Sequence, residues 1–122
     1  MNIGFNLVVA AGPNSGAREV LRNLTDALIA SGGPERYTLY FAREESEETI
    51  ARYASMSERV RAVRTPIPMF PTPVRVLKGQ FYWKRQLARD GVDVFHHTYF
   101  PLPAGVEKVC RTVLTLHDLI QR

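Results

Sequence analysis

The opening stretch Asn2-Ile3-Gly4-Phe5-Asn6-Leu7-Val8-Val9-Ala10 is a near-continuous apolar run, closed by Gly12-Pro13-Asn14-Ser15-Gly16. A strand with one wet face alternates, whereas a strand covered on both faces reads as unbroken. The run therefore predicts a buried strand, and a strand of that kind belongs in a parallel sheet layered between helices. Pro13 and the two glycines stop it. Beyond them Ala17, Val20, Leu21, Leu24, Ala27 and Leu28 recur at helical spacing, with Asn14 or Ser15 available as a cap, Glu19 in the first turn and Gly32-Gly33 as the stop.

The same alternation continues. Tyr37 to Ala42 is rich in β-favouring residues and predicts a second strand. Glu44 to Ser57 predicts a surface helix anchored by Ile50, Tyr53, Ala54 and Met56, and Val60 to Arg64 a short third strand with one polar face near a sheet edge. Four prolines in Pro66 to Pro73 exclude regular structure and leave Met69-Phe70 in a loop. Val74 to Asp90 predicts a helix ended by Gly91, with Val74, Leu77, Phe81 and Leu87 towards the core and Arg75, Lys78, Lys84, Arg85 and Arg89 on other faces; Tyr82 and Trp83 are expected to pack rather than to bind. Val92 to Phe95 and Thr112 to Leu116 complete a β-α-β-α-β-α-β-β order. The fold class is α/β, a Rossmann-like parallel sheet with flanking helices, over a single domain at residues 1–122 that is expected to be truncated at its C-terminal end, since a strand is followed there by no covering helix.

The last two strands end alike, in His96-His97 and in His117-Asp118. If they are parallel neighbours, both open on one edge, where α/β proteins hold their ligands. His96 and His97 must point to opposite faces, so at most one lines a given site. His117 and Asp118 form a donor and acceptor pair suited to a sugar hydroxyl, a phosphate or proton transfer; Asp118 serves equally as the cap of a following helix. The Gly12 to Gly16 turn is as much a plain β-to-α connection as an anion cradle, and Arg18 reads as a surface charge. The turn is neither a dinucleotide fingerprint nor a Walker loop, and no G-x-S-x-G elbow is present.

Composition narrows the classes. The chain has 122 residues, 45% hydrophobic and 23% charged, as expected of a single globular domain. A net charge of +4 suits an anionic ligand or an anionic membrane surface without calling for nucleic acid. No run is long enough to span a bilayer and no signal peptide is evident, and the lone Cys110 fits a reducing cytoplasm. No H-x₃-H or C-x-x-C spacing points to a metal.

Four segments together carry a resemblance: the opening strand with Gly12-Pro13-Asn14-Ser15-Gly16 and Arg18 to Leu24, the Arg85-Gln86-Leu87 helix end, Asp93-Val94-Phe95-His96 followed by Tyr99, Leu102 and Pro103, and Thr115-Leu116-His117-Asp118-Leu119. In order and spacing they resemble the N-terminal half of group 1 glycosyltransferases (family 4, GT-B fold, retaining). The resemblance implies an acceptor-binding domain whose strand edge faces an interdomain cleft. It implies that Gly12, Ser15, Gly16 and Arg18 approach the diphosphate of a nucleotide-sugar donor, and that His117 and Asp118 serve the reaction centre with His96, His97 and Tyr99 beside them. It implies no metal cofactor. It further implies that a second Rossmann domain holding the donor is required, so that this chain alone transfers no sugar. Two other readings stand beside it: a module without catalysis that joins a partner or a second copy through the sheet or Met69-Phe70, and a flavodoxin-like nucleotide binder.

Overall fold

The computed structural model describes residues 1–8, 16–31, 33–68, 72–97 and 105–114. The elements in chain order are β1 (Asn2–Leu7), α1 (Gly16–Ala30), β2 (Arg36–Phe41), α2 (Glu47–Ala54), β3 (Val60–Arg64), α3 (Thr72–Asp90), β4 (Val94–His97), a 3₁₀ turn (Val106–Lys108) and β5 (Arg111–Leu114). All strand pairs are parallel and the sheet order is β3-β2-β1-β4-β5. This is the α/β, Rossmann-like sheet that the alternation predicts. β4 and β5 are parallel neighbours, which meets the condition for a shared edge, and β3 lies on the far edge of the sheet. A flavodoxin-like chain would carry β3 on the other side of β1, so that third reading loses its fold.

The direction of strand addition explains the layers. From β1 the chain adds β2 and β3 on one side, then α3 carries it back across β1 to begin β4 on the other. Right-handed crossovers require the helices before and after that reversal to lie on opposite faces. Accordingly Phe5, Leu7, Leu39, Phe41 and Val60 pack with Ile29 of α1 and Tyr53 of α2, whereas Val8, Tyr40 and Phe95 pack with Trp83 and Leu87 of α3. β1 is buried on both faces from Gly4 to Leu7, as its unbroken apolar run requires.

Two expectations are corrected. α2 is shorter than Glu44 to Ser57: Ser46 caps it by accepting from the Thr49 N–H at 3.2 Å. Only Tyr53 is fully buried there, with Ile50 half-buried, while Ala54 and Met56 are exposed. The larger correction concerns α3. Of the predicted core stripe only Leu87 is buried; Val74, Leu77 and Phe81 are 36%, 61% and 80% exposed. The buried face is Gly79, Trp83 and Leu87, spaced by four. Trp83 stacks edge-on against Tyr40 at 5.1 Å and packs on Phe95 at 5.0 Å. Its indole folds back over Gly79, where a Cβ would lie 3.2 Å from Nε1. The choice of face follows from charge: Lys84 lies three residues after Phe81 and seven after Leu77, so burying that stripe would also bury an ammonium.

The end of α3 is pinned at the opposite, N-terminal edge of the sheet. Gly91 takes a positive φ of 68° after the last turn. The Asp90 carboxylate accepts from the Tyr40 hydroxyl at 2.6 Å, from Gln86 at 3.0 Å and from Arg61 at 3.3 Å. Its carbonyl accepts from Asn2 at 3.1 Å. An acid at a helix C-terminus costs roughly 0.3–1 kcal/mol against the macrodipole, less than a buried charge-assisted hydrogen bond returns. Arg61 is 65% exposed, so its share is largely screened. Burial, reinforced by Asp90, holds the Tyr40 phenol far above its ordinary range, so it remains a donor. Asp90→Ala is expected to lower stability by about 2–4 kcal/mol, chiefly by stranding the Tyr40 hydroxyl; chemical denaturation with and without Tyr40→Phe checks this, because the two losses should not add.

Residues 9–15, 32, 69–71, 98–104 and 115–122 lie outside the described residues. The Asn14 and Ser15 caps, Met69-Phe70 and the ends of the first and last predicted strands fall among them.

Candidate functional site at the β1–β4 strand ends

Every strand runs the same way, so β1 and β4 end side by side at one edge. The chain leaves β1 towards β2 and arrived at β4 from β3, which makes this pair the reversal point of the sheet. Such a reversal point is where open α/β sheets bind their ligands. The register pairs Phe5 with His96, so the last residues of β4 flank the middle and end of β1.

His96 and His97 occupy opposite faces, as alternation demands. His96 is half-buried on the face that carries α1 and stacks on Phe5, with centroids 5.1 Å apart and rings inclined by 28°. His97 is fully buried on the face that carries α3, 5.4 Å from the Phe95 ring. There it meets a residue that the predicted site did not include. Asn6, also fully buried, lies 3.2 Å through Nδ2 from His97 Nδ1. Its Oδ1 accepts from the Val8 N–H at 3.0 Å.

That second bond settles the chemistry of the first. With Oδ1 engaged by a backbone donor, the Asn6 amide must present N–H to His97, and Nδ1 must accept. The ring proton of the neutral imidazole is then on Nε2, and the ring plane is held from two strands at once. The signal in the sequence was available: Asn6 is the one polar side chain between Ile3 and Ala10. A buried amide in such a run requires a partner.

The loop after β2 reaches the same edge and is held firmly. Arg22 of α1 donates to the buried Glu45 carboxylate at 2.9 Å, with the two side chains 21% and 6% exposed. Arg64 donates to the carbonyls of Arg43 and Glu45 and to the Glu47 carboxylate. Thr65 donates to the Phe41 carbonyl and accepts from the Ile67 N–H. Glu45 stands close after β2, where dinucleotide-binding folds keep a ribose acid, but here it is committed to Arg22.

Of the predicted site residues, His96 and His97 are brought to the edge together on opposite faces. Gly16 is the first residue of α1 and Arg18 lies in its first turn; the helix packs on the face that carries His96. Gly12, Ser15, Tyr99, His117 and Asp118, with the side chain of Arg18, fall outside the described residues. Among the described residues no three His, Cys, Asp or Glu side chains are grouped closely enough to hold a metal. Cys110 is half-buried beside the α3-side core. Burial, and then the Asp93 carboxylate, push its thiol up, away from nucleophilic use.

The arrangement defines a Rossmann-like domain with two histidines at the end of β4, beside the reversal point of its sheet. In comparison with known proteins, no family model, no curated protein and no solved structure matches this chain.

Proposed function

We propose that this chain is the acceptor-side domain of a retaining glycosyltransferase that uses a nucleotide-sugar donor. The observation that carries the proposal is the Asn6–His97 bond across β1 and β4, which fixes a buried imidazole at the end of β4, at the reversal point of the sheet. His96 lies beside it, on the face of the helix whose N-terminus follows the glycine-rich turn. A helix N-terminus favours phosphate oxygens, which suits a diphosphate leaving group approached by Gly12, Ser15, Gly16 and Arg18. In this reading His117 and Asp118, following β5, contact the transferred sugar or hold a proton at the reaction centre, and Tyr99 joins His96 on the acceptor side, with His97 held behind it by Asn6. The donor is held by a second α/β half bearing paired glutamates, and activity requires both halves.

The test is release of nucleoside diphosphate by the full-length gene product, offered UDP-, GDP- and ADP-sugars with glycan and lipid-linked acceptors. Turnover is expected with one donor class, and His117→Ala is expected to lower kcat by about a hundredfold or more. No release across the panel, together with no saturation-transfer contact to any nucleotide, overturns the proposal.

A further inference from the structure

The outer face of α3 is built the wrong way round for water. Val74, Leu77 and Phe81 follow one another at spacings of three and four and are 36%, 61% and 80% exposed. Beside Leu77 and Phe81, Pro66 and Tyr82 complete a shallow apolar hollow of about 430 Å³ with Lys78 at its margin. On the other flank, Phe81, Lys84, Arg85 and Val109 border a second hollow of about 370 Å³. Singly exposed apolar residues are ordinary, but a contiguous helical stripe with a large aromatic at its centre is not.

The charge around the stripe is of one sign. Residues 72–89 contain five cations and no acid. Lys78, Lys84, Arg85 and Arg89 are exposed, and none of the four forms an ion pair among the described residues. Asp90, the first acid after them, is turned inward with its side chain 2% exposed. A second copy of the chain would set these cations against themselves, which disfavours self-association through this face. A bilayer containing anionic lipid offers an apolar layer for the stripe and a continuous negative surface for its rim. Over 19 residues the helix is about 28 Å long. Among the described residues no helix is long and apolar enough to cross a membrane, so α3 lies on the surface rather than through it.

We propose that α3 docks the protein on anionic lipid, with Val74, Leu77 and Phe81 entering the acyl boundary and Lys78, Lys84, Arg85 and Arg89 at the headgroups. The inference does not depend on the transferase reading. Its test is co-sedimentation of the full-length protein with phosphatidylcholine vesicles, with and without phosphatidylglycerol. Binding is expected only with phosphatidylglycerol and to weaken as salt is raised. Lys78→Gln and Arg85→Gln are each expected to lower the partition coefficient about fivefold. Leu77→Ser with Phe81→Ser is expected to lower it by roughly tenfold or more, with circular dichroism and melting unchanged because these side chains lie outside the core. Retention that ignores phosphatidylglycerol, or a serine variant that binds like wild type, overturns the proposal. So does lipid-free wild type that self-associates while the serine variant is monomeric, which would make the stripe an assembly surface.

Discussion

Trp83→Ala is expected to lower the unfolding free energy by about 3–5 kcal/mol, while Phe81→Ala, two residues away on the same helix, is expected to change it by less than about 0.5 kcal/mol. The contrast follows from where α3 turns. Trp83 is fully buried among Tyr40, Phe95 and Tyr82, so its removal loses apolar transfer and leaves a cavity that the rigid sheet cannot close. Phe81 is 80% exposed, and alanine is the better helix former. Against a total stability of about 5–15 kcal/mol the first change takes a large fraction. Urea unfolding followed by far-ultraviolet circular dichroism measures both; fluorescence does not serve, since Trp83 is the only tryptophan. A large loss for Phe81→Ala, with an unchanged denaturant slope, would mean that α3 packs by its other face.

The second large effect belongs to the strand-end site. Asn6→Leu keeps the approximate shape and removes the acceptor of the Val8 N–H and the donor to His97 Nδ1 together. Two buried polar groups then lose that partner, at an expected cost of about 2–4 kcal/mol. Asn6→Asp asks a sharper question. Its carboxylate still accepts from Val8 but can no longer donate, so the His97 proton is expected to move to Nδ1, where it bonds the carboxylate. Nitrogen-15 shifts of the imidazole should report Nε2–H in the wild-type chain and Nδ1–H in the variant. The same tautomer in both would mean that Asn6 does not govern the ring.

Much of the architecture is legible in the chain itself. The unbroken run at β1, the stops at Gly32-Gly33 and Gly91, and the alternation of periods lead to a parallel sheet between helices, because each depends on neighbours within a few residues. That the last two strands are parallel neighbours was a condition of the shared-edge reading rather than its result, since the sequence shows no crossover helix between them; the pairing of β4 with β5 supplied it.

What sequence could not decide was rotation and long-range pairing. α3 carries two apolar stripes, Val74-Leu77-Phe81 and Trp83-Leu87, and periodicity measures the spacing of a stripe rather than its destination. Tyr40 and Phe95, which receive Trp83, and Lys84, which resists burial of the other stripe, made the choice only once the sheet was assembled. Asn6 and His97 are 91 residues apart, and nothing local marks one as the other's partner. Their bond exists because the reversal after β3 sets β4 beside β1. By itself the sequence determined that there would be a strand edge with histidines on it; the tertiary structure decided that His97 is the ring locked by Asn6, that His96 stacks on Phe5 across the sheet, and that the outer face of α3 is left apolar and cationic.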